Sequence, residues 1–489
     1  MNFGEVVNLP KSGNYILFNT IYHNRTDDPD IKDVITLVFK DLDTGEKIIK
    51  DVENPKIEVY VAKKGIDLGE YTHIDIDEKD TELVDCSYKS ILKDLSEMLG
   101  YKSYYNKCMQ EKRYDDAKRI MEVNRIFSSD RNIEDFYKFK SKQYFGTKEL
   151  KNITKGFYDI ETDLKKGYCD LKNGCGTAPI NALTFINPQT KESYTLALRD
   201  SSNPKVKELE DNKEAFLNYV HELCDEIVGT DYEYKLAFFD DELELIKVFF
   251  DLVNLYKLDF MLAWNQSFDI SYIIDRIKRL GSVPEEVMCH PDFKYKKAIY
   301  LRDNFNFEIK KKSDQVILSS YSVFMDQMLN YASVRKSQSS IDSYKLDDIG
   351  LKETGIGKLD YSDICNHIRD LPEADYVRFL AYNIRDVLTQ VKIEEKTNDI
   401  IDIAYRAYSY NTRYSKIFKE ITFLTDVAFE DFLDTGIVLG NNVNAIKYNR
   451  AKKEENLLII EGGTDDDEDG VRFRGALVGN GVYAHSKPF

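Results

Sequence analysis

The pattern of hydrophobic and polar positions changes along the chain. In residues 1 to about 65, short runs of β-branched and aromatic residues alternate with Asp, Asn and Gly turns, which is typical of strands. These runs begin at Tyr15, Val34 and Ile57. In residues 87–127 the apolar side chains instead recur at helical spacing in a charged background. We therefore predict a β-rich N-terminal domain with a helical tail in residues 1–150.

From residue 151, apolar strands and amphipathic helices alternate. Strands are predicted at 156–161, 182–186 and 260–264, and helices at 213–228, 242–256, 268–280 and 376–388. This alternation is typical of an α/β sheet domain, which we assign to residues 151–398. Residues 399–489 begin helical and end in Gly-rich, strand-like pieces that do not close on themselves, so we expect them to return to the N-terminal domain.

Composition and cysteine usage narrow the class of protein. With 42% hydrophobic and 31% charged residues, the chain has the balance of an ordinary globular protein. It contains no run of about 18 apolar residues, and its first residues lack the basic and apolar regions of a signal peptide. The seven cysteines are an odd number and mostly far apart, which favours reduced thiols. We therefore expect a cytoplasmic protein without a membrane span.

The net charge of −18, from 86 acidic and 68 basic side chains, limits how this protein can bind nucleic acid. Such a charge argues against coating nucleic acid with the whole surface. A local basic groove is compatible with it, because only the groove must be positive. Part of the acidic excess lies in residues 465–469, where consecutive acids predict a solvated loop.

The strand predicted at 156–161 carries two acids, Asp159 and Glu161, two residues apart. Because side chains on a strand alternate, both project from one face while Ile160 packs on the other. Adjacent carboxylates repel unless a cation lies between them, and hard divalent ions such as Mg²⁺ prefer oxygen ligands. Acidic alternation is also typical of a solvated strand face, but the apolar neighbours here favour a buried site.

Three further side chains lie on predicted helices. Asp269 follows the apolar strand that ends at Trp264, where strand ends meet helix starts and α/β sites form. Taken alone, Asp269 is also explained by its favourable interaction with the helix dipole. Tyr382 and Asp386 are four residues apart and share one helix face. Taken alone, they fit an exposed pair.

The order of these residues is a rare joint pattern. Asp-x-Glu on a strand, then Asn265-x-x-Phe268-Asp269, then Tyr382-x-x-x-Asp386 resembles the three exonuclease motifs of the DEDD superfamily, in its tyrosine-bearing branch. The resemblance implies an α/β fold with an RNase H-like exonuclease domain, in which helices flank a mixed sheet. This domain would follow the β-rich N-terminal domain.

The resemblance also implies a role for each residue. The reaction would be hydrolysis of the 3′-terminal phosphodiester, with release of a nucleoside monophosphate. Two divalent metal ions, Mg²⁺ or Mn²⁺, would be held by four carboxylates: Asp159, Glu161, Asp269 and Asp386. Tyr382 would orient the attacking water, and Asn265 and Phe268 would hold the terminal nucleotide.

Further segments are similar to the family B DNA polymerases of tailed bacteriophages. They are Tyr344-Lys-Leu-Asp-Asp-Ile-Gly, Gly357-Lys-Leu-Asp-Tyr and Gly475-Ala-Leu-Val. The palm motifs and the finger-helix motif of those enzymes are absent from the 489 residues. The resemblance therefore implies the proofreading exonuclease part of a polymerase that is either split or truncated. The unclosed C-terminal residues favour a split polymerase, with palm, fingers and thumb on a second chain.

A basic and aromatic stretch lies between the second and third motifs. Lys310, Lys311 and Lys312 would form the turn of a hairpin between residues 305–309 and 315–318. In the resembled polymerases a hairpin at this place helps part the primer from its template. The lysines are therefore candidates for binding single-stranded or primer-template DNA. A solvated charged turn explains them equally well.

Two alternative functions stay open. One is a stand-alone DEDD exonuclease acting on DNA or RNA; the polymerase-like N-terminal domain and the trailing segment count against it. The other is a non-catalytic scaffold that binds single-stranded nucleic acid. The four intact acids count against that alternative, because a scaffold has no need of clustered carboxylates.

Overall fold

The computed structural model describes residues 1–66, 75–122, 125–229, 231–303, 308–337, 341–417 and 419–441. The predicted acidic loop at 465–469, the segment at Gly475 and the first part of the strand at 305–309 lie outside these residues. The described chain divides into two compact units. The N-terminal unit holds Met1–Phe39, Lys50–Lys148 and the described residues from Ala407 onward; the sheet unit holds Lys40–Ile49 and Glu149–Arg406. The domain boundaries at 150 and 398 stay predictions.

Short strands form most of the first part of the N-terminal unit. They are β1 (Tyr15–His23), β2 (Val34–Asp41), β3 (Lys47–Glu53), β4 (Lys56–Ala62), β5 (Asp75–Asp77), β6 (Thr81–Ser87) and β7 (Ile126–Phe127). One sheet has the order β1-β2-β3, and another has β4 between β6 and β7, antiparallel to both. The helices of this region are α1 (Phe3–Val7), α2 (Ile91–Met98), α3 (Lys102–Gln110), α4 (Tyr114–Ala117) and α5 (Ile133–Phe145). The predicted β-rich N-terminal region is confirmed.

A six-stranded mixed sheet is the centre of the sheet unit. The strands of the unit are β8 (Lys155–Thr162), β9 (Cys169–Asp170), β10 (Cys175–Gly176), β11 (Ile180–Asn187), β12 (Glu192–Leu198), β13 (Glu233–Phe239), β14 (Phe260–Ala263), β15 (Ala298–Leu301), β16 (Gln315–Leu318) and β17 (Val323–Asp326). The sheet has the order β13-β12-β11-β8-β14-β17. β11 is antiparallel to β8 and β12, whereas β13 is parallel to β12, and β14 is parallel to β8 and β17.

The α-helices of this part of the chain are α6 (Pro204–Asp211), α7 (Lys213–Val228), α8 (Glu242–Tyr256), α9 (Asp269–Arg279), α10 (Pro284–Met288), α11 (Gln327–Val334), α12 (Leu346–Thr354), α13 (Leu371–Ala374), α14 (Tyr376–Thr397) and α15 (Asp399–Ser409). Helices α6 to α10 lie between these strands in the sequence, and α11 to α15 follow β17. The N-terminal unit ends with α16 (Glu420–Asp434) and β18 (Ile437–Leu439), and β18 pairs antiparallel with β5. The described part of the C-terminal segment therefore completes the N-terminal unit.

Aromatic side chains dominate the core of the sheet unit. The ring centroids of Tyr158 and Phe249 are 5.0 Å apart, and those of Phe249 and Phe250 are 4.9 Å apart. The long helix α14, which packs on β8 and β11, begins where the Asp375 side chain accepts a hydrogen bond from the backbone N–H of Arg378 at 3.0 Å. The central strand β8 thus lies between the aromatic core and α14.

The predicted elements of the sheet unit are confirmed where the periodicity was strong. The helices predicted at 213–228 and 242–256 are α7 and α8, and the apolar runs at 156 and 260 are β8 and β14. Strands β12 and β13 were not predicted. β13 is an edge strand whose side chains are mostly half-exposed, so it has neither the continuous apolar run of a central strand nor a clean alternation.

Strand β16 pairs antiparallel with β15, in the register Leu301 to Gln315. The lysines at 310 and 311 belong to a short 3₁₀ helix, Ile309–Lys311, within the connection between these two strands. Most of the strand predicted at 305–309 lies outside the described residues, so its pairing in a hairpin stays a prediction.

Among the residues that the structure describes, no helix is both long enough and apolar enough to cross a membrane.

Candidate metal centre

The end of the central strand supplies two of the predicted acids. On β8, Asp159 and Glu161 pair in register with Thr184 and Ala182 of β11. On the other side, β14 pairs with β8 only up to Phe157. β8 therefore continues past the described pairing with β14, and its two acids lie where that neighbouring strand has already ended.

Helix α14 supplies the third acid. One oxygen each of Asp159, Glu161 and Asp386 lies within 4.8 Å of the other two. Asn383, on the same helix, donates a hydrogen bond from Nδ2 to Oδ2 of Asp159 at 2.9 Å. Residues 159 and 386 are far apart in sequence, so only the packing of α14 on the sheet brings their carboxylates together. We call Asp159, Glu161 and Asp386 the acid triad.

Asp269 lies beside the triad as the first residue of α9. Its backbone N–H donates to the carbonyl oxygen of Asn265 at 3.0 Å, and the residue is 3% exposed. Burial raises the pKa of Asp269 most, and the charges of Asp159, Asp326 and Glu161 raise it further. The fourth predicted acid is therefore close enough to interact electrostatically with the triad, although it is not one of the three clustered carboxylates.

The acids repel one another in a poorly hydrated place. Burial, followed by the charge of Asp386, raises the pKa of Asp159 to about 7. Burial is also the first cause that raises the pKa of Glu161 and that of Asp386. Among the described residues, Oδ1 of Asp386 is buried and has no hydrogen-bond partner. A divalent cation binds clustered carboxylate oxygens whose negative charge is not balanced and which include an acceptor without a hydrogen bond. The carboxylates of the triad therefore fit a metal ion.

Lys358 is a site residue that the sequence analysis missed. Its Nζ donates to the hydroxyl of Tyr382 at 2.8 Å and also pairs with Oδ2 of Asp386. Burial lowers the pKa of this lysine, but the charges of Asp386 and Tyr382 outweigh burial and raise it overall. Burial raises the pKa of Tyr382 first, and the charge of Asp386 adds to it. The segment Gly357-Lys-Leu-Asp-Tyr, noted for its resemblance alone, was the available signal.

The predicted nucleotide-holding residues lie in the turn between β14 and α9. The carbonyl oxygen of Asn265 accepts the backbone N–H of Phe268 at 2.9 Å, and its side chain accepts the hydroxyl of Ser267. The half-buried ring of Phe268 lies 5.2 Å from that of Tyr272, between centroids. Both residues are therefore on the same turn that positions Asp269.

The three lysines of the predicted DNA path follow strand β15. Lys310 is half-exposed and Lys311 is exposed, with their Nζ atoms 3.7 Å and 3.6 Å from the carboxylate of Glu308. Lys312 is half-buried at the end of the 3₁₀ helix. Their role in DNA binding stays a prediction.

The fold and the acids together define an RNase H-like exonuclease domain. A mixed sheet flanked by helices carries an acid pair at the end of its central strand, and a helix packed on that strand adds a third acid. This class of domain implies divalent metal ions and binding of nucleic acid.

Comparison with known proteins names the family. Residues 158–349 match the family described as DNA polymerase family B, exonuclease domain. This part of the chain is therefore similar to the exonuclease domain of DNA polymerase family B. Tyr382 and Asp386 lie beyond the matched residues, so their place in the site rests on the tertiary structure.

Two curated relatives are phage polymerases. The chain is 26% identical to the DNA-directed DNA polymerase of Escherichia phage RB69 over 260 residues, which is 51% of this chain and 26% of the relative. It is 25% identical to the DNA-directed DNA polymerase of Enterobacteria phage T4 over 168 residues, which is 34% of this chain and 17% of the relative. The similar region thus spans about a quarter or less of the length of these relatives.

Proposed function

We propose that this chain is the 3′→5′ proofreading exonuclease part of a family B DNA-directed DNA polymerase. The observation that carries the proposal is the acid triad, in which carboxylates from β8 and α14 meet with Asp269 beside them. The similarity to two phage DNA polymerases supports DNA as the nucleic acid.

Two divalent ions, Mg²⁺ or Mn²⁺, would complete the site. The triad would hold one ion, and Asp159 together with Asp269 would hold the other. When bound, such ions supply Lewis acidity that favours attack of water on phosphorus and stabilises the departing 3′ oxygen.

The residues of the chain orient and separate the reacting groups. The hydroxyl of Tyr382, held by Lys358, would orient the attacking water. Asn383 holds Asp159 in one orientation through its hydrogen bond. Asn265 and Phe268 would hold the terminal nucleotide, because stacking on an aromatic ring tolerates any base. Lys310, Lys311 and Lys312 would contact phosphates of the single-stranded or primer-template DNA.

Polymerisation would depend on residues outside this sequence. The 489 residues contain no palm or finger motif, and we propose that a second chain supplies palm, fingers and thumb in the cytoplasm. Extension of a primed template by this chain without any added chain would contradict that part of the proposal.

The test is degradation of a 5′-labelled single-stranded DNA by the purified chain, with Mg²⁺ or with EDTA. We expect a ladder that shortens from the 3′ end, requires the metal and is lost in Asp159→Ala. Asp251→Ala is the matched control, because Asp251 is an exposed acid on α8 and outside the site. A folded chain that binds Mn²⁺ but leaves the DNA intact would overturn the proposed activity and favour a binding scaffold. Equal cleavage of RNA would favour a stand-alone nuclease.

A further inference from the structure

Two side chains hold the backbone of Lys358 from opposite sides. Oδ1 of Asp347, in the first turn of α12, accepts a hydrogen bond from the backbone N–H of Lys358 at 2.8 Å. Nε of Arg385, on α14, donates to the carbonyl oxygen of Gly357 at 2.9 Å. The N–H and the carbonyl that make these bonds belong to one peptide group, the one between residues 357 and 358. The two bonds therefore fix the plane of that peptide. We call Asp347 and Arg385 the backbone clamp.

The clamp stands on elements that are themselves fixed. Arg385 also donates from Nη1 to the carbonyl oxygen of Leu223 on α7, at 3.4 Å. It directly precedes Asp386, so one helix carries both the clamp and the acid that Lys358 contacts. The backbone of Lys358 is therefore held by the same helix, α14, that carries Asp386, the acid that its side chain contacts.

Two glycines allow the segment that carries Lys358 to lie close to α12. A Cβ at Gly357 would stand 2.9 Å from Oδ1 of Asp347. A Cβ at Gly350, on α12, would stand 2.5 Å from the carbonyl oxygen of Ile356. Contacts this short are not tolerated by real side chains, so glycine at both positions lets the segment lie against α12.

The long side chain of Lys358 reaches its two partners more readily when its backbone is held in place. Lysine is long and loses much rotamer freedom on being held. Its side chain is 34% exposed, yet its ammonium contacts both the hydroxyl of Tyr382 and the carboxylate of Asp386. When the backbone is fixed, fewer rotamers of Lys358 are compatible with contact to both groups.

From this geometry we propose that Asp347 and Arg385 are positioning residues that act through Lys358 on the acid triad and Tyr382. The inference rests on the proposed function for its purpose, but its test does not depend on nuclease activity. Because the ammonium lies on Asp386, it competes with a metal ion for that carboxylate. A displaced Lys358 should therefore change the affinity of the triad for Mn²⁺.

The experiment is a double-mutant cycle read as Mn²⁺ affinity without DNA, at pH 8, by calorimetry or by the electron paramagnetic resonance of free Mn²⁺. We expect Lys358→Met to tighten Mn²⁺ binding by about 3- to 10-fold, and both Arg385→Ala and Asp347→Ala to shift it in the same direction. In the Lys358→Met background, Arg385→Ala should have no further effect. The cycle matters because Arg385 also carries a charge of its own.

Conservative variants separate positioning from folding. Arg385→Lys and Asp347→Asn keep a donor and an acceptor at these places, so both should restore most of the wild-type affinity. Asp348→Ala is the matched control for Asp347→Ala, because the exposed Asp348 is the next acid in the same helical turn. Lys392→Ala on α14 is the control for loss of a basic side chain.

Arg385→Ala could have the same effect on Mn²⁺ affinity in the wild type and in Lys358→Met. That result would show that Arg385 acts by its own charge, and it would overturn the proposal that Arg385 acts through Lys358. Unchanged Mn²⁺ affinity in Lys358→Met, or in a folded Arg385→Gln variant beside an altered Lys358→Met, would overturn it as well. If the chain proves to be a nuclease, the clamp variants should lower kcat with little change in KM for DNA. Absence of nuclease activity in the wild type would count against the proposed function alone.

Discussion

Two aspartates of the sheet unit, one buried and one half-buried, have opposite surroundings. Asp259 is 1% exposed and is saturated by cations and donors: Nζ of Lys40 at 2.7 Å, Nζ of Lys47 at 3.0 Å and the backbone N–H of Thr154 at 2.8 Å. Burial pushes its pKa up, but the charges of Lys47 and Lys40 outweigh burial and lower it overall. Asp159, in contrast, faces other acids, and its pKa is raised to about 7.

The difference distinguishes an acid whose charge is balanced by neighbouring lysines from an acid of the proposed metal site. Around Asp259 the positive charge already exceeds the negative, so nothing further is needed to stabilise it. Among the described residues, the acid triad forms an ion pair with Lys358, and the charge of Arg385 also acts on Asp386, but three carboxylates are to be balanced. A positive charge supplied from outside is therefore favourable. A buried carboxylate is thus informative only when its partners are known.

The largest effect expected is on catalysis. Asp159→Asn should lower exonuclease kcat by about 1,000-fold, equivalent to about 4 kcal/mol, because it removes a ligand of the proposed metal site. The same change at Asp259 should leave the chemical step of the folded protein intact. Single-turnover cleavage of 5′-labelled single-stranded DNA measures this, and similar losses of kcat for both variants would break the comparison.

The next effect is on the stability of the fold, and here the substitution at Asp259 should matter more than the one at Asp159. Asp259→Ala leaves two buried ammonium groups without their carboxylate, and it should lower the free energy of unfolding by about 3–5 kcal/mol. Asp159→Asn should not destabilise the metal-free chain, since it removes repulsion within the triad. Urea unfolding in EDTA measures both. The control Asp251→Ala should stay within about 0.5 kcal/mol of the wild type.

The stabilisation of the folded chain by Mn²⁺ should also distinguish Asp159 from Asp259, with an effect of intermediate size. Mn²⁺ at 100 times its dissociation constant should stabilise the wild-type chain by about 2.7 kcal/mol, through binding to the folded state alone. Asp259→Asn should keep this increment of stability, and Asp159→Asn should lose most of it. Thermal melting with and without Mn²⁺ measures the increment. An equal increment in the wild type and Asp159→Asn would place the metal elsewhere.

The pH dependence of stability should also distinguish the two acids, because its sign differs between them. Because the pKa of folded Asp159 is about 7, above its ordinary value of 3.8, the folded state binds more protons than the unfolded state between these values. Its contribution to metal-free stability therefore falls as pH rises from about 4 to 7. Asp259 has a lowered pKa, so its contribution is present above its ordinary value and is lost as pH falls through the folded value.

Urea titrations across this pH range, in EDTA, check both signs. Asp159→Asn should reduce the fall in stability toward neutral pH, and Asp259→Asn should reduce the loss in acid. Mn²⁺ affinity should weaken below about pH 7, because protons then compete for the triad. An affinity independent of pH would show that the triad is already ionised without the metal.

Local patterns were enough to predict much of the sheet unit. The alternation on β8 placed Asp159 and Glu161 on one face, and the spacing of Tyr382 and Asp386 placed them on one helix face. These statements need only the period of a strand or a helix. The edge strand β13 and the pairing of β16 were missed, because both depend on neighbours that are distant in sequence.

The amino-acid sequence by itself determined the order of the three motifs, the type of fold and the identity of the four acids. The tertiary structure alone decided that Asp386 meets Asp159 and Glu161, that Lys358 lies on Asp386, and that Asp259 belongs to the fold. The physical reason is that charge compensation depends on distance and burial. Spacing along the chain determines neither, since both arise only when separate elements pack together.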